Sequence, residues 1–202
     1  MTHHIRTFST VLMMLAFSLP AFAADRYKYS ELQIKDYDEI GALVKDKVKK
    51  AMKVFREKGD AEENAAPDQA GVEELRSALH LILARPNQDN MLAKLMPEVR
   101  KELSNVNAFE DSLSSLASEA IEGLRNEKLP TVFRSTYLFV LENIISEFKP
   151  EIRDKAELRK IFEKIRDAKL AIPKDVTKDL KLRSMLKVES PSERAKQILE
   201  KL

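Results

Sequence analysis

Cysteine and tryptophan are absent from this chain of 202 residues, and glycine occurs only four times. Without cysteine there are no disulfides, no thiol nucleophile, no thiolate metal ligand and no lipidated cysteine. Without tryptophan, and with four tyrosines, the aromatic platforms on which sugars stack are scarce. Four isolated glycines do not make a phosphate cradle. An excess of one charge is missing too: 35 Lys and Arg stand against 33 Asp and Glu, a net charge of +2. Such a balance creates no global field for nucleic acid, and no nucleic-acid motif is present.

The chain has a single long uncharged apolar run, Phe8 to Leu19, preceded by Arg6 and followed by Pro20 and the small-residue triplet Ala21-Phe22-Ala23. This is the three-zone pattern of a secretory signal, with cleavage expected between Ala23 and Ala24. The run is well short of the roughly 20 residues that span a bilayer. Cleavage leaves about 180 residues, enough for a domain that buries about 70% of its unfolded surface. The expected location is a periplasm or the cell exterior. Stability there must come from core packing.

After the leader, the expected organisation is an N-terminal arm and basic amphipathic helix over 24–59, an acidic linker over 60–71 and a main helical domain over 72–202. Leu32 and Ile34 alternate in the arm, but one short alternation makes no sheet. Ile40, Leu43, Val44, Val48, Ala51, Met52 and Phe55 then form one helical stripe, with Asp36 or Asp38 able to cap it and Gly59 able to stop it. A second helix follows from about Asp68 to Arg85. A third starts near Asp89 or Asn90 and contains Pro97, which predicts a kink or a fresh start. The fourth covers about Asn107 to Asn126.

Pro130 precedes a fifth helix whose middle, Tyr137-Leu138-Phe139-Val140-Leu141, is apolar on every side, so it should be the central one. Leu158, Ile161, Phe162 and Ile165 give the inner stripe of a sixth, ended by Pro173. Asp175 to Met185 reads as a seventh, and Ser190-Pro191-Ser192-Glu193 predicts a capping box that starts the last. The fold class is therefore all-α, with seven or eight amphipathic helices. They form either a compact orthogonal bundle or a short α-superhelix of stacked pairs, as in armadillo and HEAT repeats.

Catalytic chemistry is poorly supplied. His80 is the only histidine after the leader and lies among Leu79, Leu81 and Ile82, where a core histidine is the ordinary outcome. Ser112-Leu113-Ser114-Ser115 lacks the Gly-x-Ser-x-Gly turn of a nucleophile elbow and reads as a polar helix face. Asp36-Tyr37-Asp38-Glu39-Ile40-Gly41 begins like a calcium loop but puts Ile40 and Lys47 where oxygen ligands are needed. No metal site and no cofactor are expected. For a glycan-cleaving enzyme with one acidic residue, Glu142 and Glu189 are the candidates.

Charge is segregated along the chain. Lys45 to Lys58 holds seven bases against two acids, Asp60 to Glu127 fourteen acids against six bases, and Lys149 to Lys187 thirteen bases against seven acids. Opposite faces of this kind either meet within one domain or serve a partner. The second outcome assigns Lys49, Lys50, Lys53 and Arg56 to a surface for an anionic partner or membrane. The functional expectation is an extracytoplasmic interaction module, adaptor or chaperone-like, whose partner is another envelope or secreted protein. Peripheral binding to an anionic membrane or polymer comes next, and a glycan-cleaving enzyme third.

The leader yields a direct prediction. Expressed in a bacterial host, the processed protein should have Ala24 as its first residue by N-terminal sequencing, and Ala23→Arg should leave the precursor unprocessed. A product that retains Met1 to Ala23 would refute the assignment.

Overall fold

The structure is a computed structural model that describes residues 37–59, 66–85, 91–103, 106–182 and 189–202. The leader, the arm and Asp36 lie outside the described residues. The all-α expectation is met: the described residues form eight helices and no strand. They are α1 (Tyr37–Lys58), α2 (Gln69–Leu83), α3 (Met91–Glu102), α4 (Val106–Arg125), α5 (Thr131–Phe148), α6 (Ala156–Asp167), α7 (Lys174–Leu182) and α8 (Pro191–Leu199).

Helix α1 follows its stripe. Ile40, Val44, Val48, Ala51, Met52 and Phe55 are buried, and Gly59 stops the helix in the left-handed region at φ 76°. Asp68 caps α2, its carboxylate accepting from the Ala70 amide at 2.9 Å. Residues 60–65 of the acidic stretch lie outside the described residues. α1 packs along α2, and the two come close because Gly71 carries no side chain. A Cβ placed there would fall 2.2 Å from Cε1 of Phe55, a ring that is itself fully buried.

Pro97 neither breaks nor restarts α3. The helix runs through it, and the ring sits on the exposed side. Only one backbone hydrogen bond is forgone, at a place where water can reach the freed carbonyl. The sixth helix ends earlier than Pro173 suggests. α6 stops at Asp167, Lys169 turns the chain at φ 48°, and Pro173 instead stands just before α7, where its carbonyl accepts from the Thr177 amide at 2.9 Å.

The last start signal is half realised. Ser190 is the N-cap of α8 and Pro191 its first residue, but the Ser190 side chain makes no capping bond. Its hydroxyl donates to the Leu170 carbonyl at 2.6 Å. Ser192, two residues on, accepts from the Leu170 amide at 2.9 Å and lies 2.6 Å from the Ile165 carbonyl. Both serines therefore tie α8 to the end of α6 and to the turn beyond it.

Helix α5 is central, as its all-round apolar middle predicts. It touches α2, α4, α6, α7 and α8, and Leu138, Val140, Leu141, Ile144, Ile145 and Phe148 are buried in that core. α2 also packs on α4, and α4 on α6. Helices far apart in order thus share one interior, which makes the fold a bundle and not a row of stacked pairs.

Gly71→Ala should lower stability by about 2 kcal/mol, because an added methylene group in a packed contact forces the neighbour to move. Urea unfolding of Gly71→Ala, Phe55→Leu and the double variant checks this. The double variant should cost clearly less than the two singles together; strict additivity would mean that the contact between residues 55 and 71 does not set the approach of the helices.

Candidate binding groove

Along their contact α1 and α3 run in the same direction. Gly41 lies against Leu95, with 3.7 Å between a Cβ built on Gly41 and Cδ2 of Leu95, and one turn later Lys45 pairs with Glu98 at 3.3 Å. α1 has 22 residues and α3 has 12. In that register α3 ends beside the middle of α1, and α1 continues for about 15 Å beyond it at 1.5 Å per residue. The step between the long helix and the short one is a groove of about 1000 Å³.

The floor of the groove is apolar, made by Val44, Val48 and Met52 of α1 and Val99 of α3. All four are buried, so the apolar surface lies at the bottom, beneath the stems of charged side chains. Lys49, Lys50, Lys53 and Arg56, the four residues singled out in the sequence, all line this groove and are all exposed. Lys50 pairs with Asp46 at 2.7 Å and Lys53 with Glu57 at 3.7 Å, each one turn away on α1. The hydrogen bond from Lys50 holds the Asp46 carboxyl below its usual range. The α3 wall, with Glu98, Lys101 and Glu102, was not foreseen.

A second polar group lies deep in the bundle. Arg76 of α2 is 1% exposed. Its guanidinium pairs with Glu73 at 2.7 Å and with Glu119 of α4, whose other oxygen accepts from the Tyr137 hydroxyl of α5 at 3.2 Å. One turn along α2, His80 meets the Tyr137 ring edge-on at 5.7 Å between centroids. Gly123 lets that ring against α4, since a Cβ there would fall 2.3 Å from it. Burial, and then the positive charge of Arg76, push the imidazole of His80 down to about 3. With that shift the neutral form is the favoured one at physiological pH.

The carboxylates considered for glycan cleavage sit elsewhere. Glu142 of α5 is ion-paired with Arg194 of α8, which also approaches the Ser146 hydroxyl at 3.2 Å. Glu189 is exposed. Neither lines the groove. Among the described residues no group of three or more His, Cys, Asp or Glu could hold a metal ion, and no helix is long and apolar enough to cross a membrane.

Sequence reasoning missed Arg76, Glu119 and Tyr137 as a cluster. One signal was available: Arg76 and His80 fall within the apolar stripe of α2, between Val72, Leu75, Leu79 and Leu83 at helical spacing. Polar residues on a buried stripe need partners from other helices.

Comparison with known protein families, characterised proteins and solved structures finds no match.

The buried histidine has a signed consequence for stability. An imidazole depressed from 6.5 to about 3 contributes fully above its unfolded value, and that contribution is lost as pH falls, because only the unfolded chain takes up the proton. Between pH 6.5 and 4 the wild type should lose stability with a slope from this site approaching about 1.4 kcal/mol per pH unit. His80→Gln lacks that component, so urea stabilities of the two proteins should converge as pH is lowered. Parallel curves would show that His80 titrates normally.

Proposed function

We propose that the protein is an extracytoplasmic helical interaction module, periplasmic or secreted, that holds a segment of another envelope or secreted protein between α1 and α3. It performs no catalysis. The groove carries this reading: about 1000 Å³, an apolar floor that includes the adaptable Met52, and a rim of long charged side chains. Its walls are two helices, the arrangement that takes a helical segment by its apolar stripe. The three-zone sequence pattern of Met1 to Ala23 supports a location outside the cytoplasm.

Peripheral binding of an anionic membrane or polymer through α1 is the second reading, favoured by the exposure of Lys49 and Arg56. Four carboxylates in the same rim weigh against it, because they would face the same anionic surface. The glycan-cleaving reading is weakened by the pairing of Glu142 with Arg194 and by the exposed position of Glu189.

A photoreactive amino acid at position 49, with another at position 201 as a remote control, tests the proposal in cells of the source organism. Position 49 should give discrete adducts with polypeptide, and position 201 should not. Adducts equally abundant from both sites, or none from position 49, would remove the groove as a polypeptide site.

A further inference from the structure

Among the described residues the groove carries an excess of positive charge, and its location points to what fills it. Among the described residues six cationic side chains and four carboxylates line the rim. Three of each cancel within it: Lys45 with Glu98, Lys50 with Asp46 and Lys53 with Glu57. Lys49 and Arg56 on α1 and Lys101 on α3 make no ion pair among the described residues, and only Glu102 is left on the negative side. Lys49 and Arg56 are about two helical turns apart and so share a face of α1. Lys101 lies on the other wall. The cations therefore flank the apolar floor of Val48, Met52 and Val99.

We infer that the occupant is an amphipathic helix of a partner protein with net negative charge. Its apolar stripe lies on the floor, and carboxylates on its two edges meet Lys49, Arg56 and Lys101. The inference rests on the groove being a polypeptide site. The lined stretch of α1, Val44 to Glu57, is about 20 Å long and takes a helix of about four turns. A third helix there would complete the layer at ordinary helix spacing.

Other occupants fit less well. A folded second copy offers no apolar stripe, because Leu202 is the only large hydrophobic residue exposed among the described residues. A bilayer is broad and flat, and it cannot reach a buried floor between two helices.

Two fluorescent peptides with the same apolar stripe, one flanked by Glu and the other by Lys, test the inference by anisotropy with the purified protein. The Glu peptide should bind about tenfold more tightly at low salt, the combined effect of three partly exposed charge contacts, and the gap should narrow as salt screens them. In the triple variant Lys49→Glu, Arg56→Glu, Lys101→Glu the preference should reverse. All three positions are on the surface or rim, and circular dichroism with the urea midpoint verifies that the variant is folded. Equal binding of both peptides, or a preference unchanged in the triple variant, overturns the charge assignment and leaves the polypeptide site standing. Binding of neither peptide overturns both. Flotation with phosphatidylglycerol vesicles, lost in the triple variant and without peptide binding, assigns the cations to a lipid surface. A dimer in sedimentation that the triple variant abolishes assigns them to a second copy.

Discussion

Taking a guanidinium out of water costs several kcal/mol unless charge and hydrogen bonds replace the lost hydration. Arg76 is out of water, and its replacements come from different helices: Glu73 on its own, Glu119 on α4, and Tyr137 of α5 through Glu119. That requirement fixes how α2, α4 and α5 face one another. A slide by one turn at any of the three contacts would leave a buried charge without its counter-charge, a larger penalty than an apolar mismatch brings. Gly123 belongs to the same constraint, since the Tyr137 ring, whose hydroxyl donates to Glu119, packs against α4 where no Cβ stands.

The rest of the bundle is secured on this frame by polar ties to backbone, as befits a chain without disulfides. Asn143 of α5 donates to the carbonyls of Leu83 and Arg85, both at 2.7 Å, and so satisfies the end of α2 that has no intrahelical partner. Arg134 of α5 reaches the Leu124 carbonyl and pairs with Asp175 at the start of α7. The Thr131 hydroxyl, with Arg134 beside it, holds the Asp175 carboxyl below its usual range. Around α3, Arg100 stacks on Phe109 and Phe148 and pairs with Glu151, so the short helix is anchored by one long side chain.

What the sequence revealed and what it hid divide by range. The stripe Ile40 to Phe55, the all-round apolar middle of α5, the Gly59 stop and the start of the second helix near Asp68 are local patterns, and they appear in the structure where the sequence placed them. Failures came where a side chain chose a distant partner. Ser190 has the right spacing for a capping box, but the Leu170 carbonyl, 20 residues away in sequence, takes its hydroxyl. Pro173 looks like a terminator, yet α6 had already stopped, with Lys169 turning the chain and Arg125 of α4 binding the Ala168 carbonyl. For the groove, the α1 cations were legible as one-sided charge. The α3 wall was not, because nothing local in Glu98 to Glu102 says which helix it will lie beside.

Charge segregation has a similar resolution. A basic first helix beside an acidic middle segment suggests that the two signs meet across the interior. Among the described residues α1 instead pairs two of its seven bases along its own length, Lys50 with Asp46 and Lys53 with Glu57, and sends one bridge, Lys45 to Glu98, to α3. Pairs one turn apart on an exposed helix are weak and easily exchanged. The Lys53 pair, at 3.7 Å between two exposed side chains, is of this weak kind. The difference in length between α1 and α3 creates the groove, and the exposed cations of α1 stand along its rim.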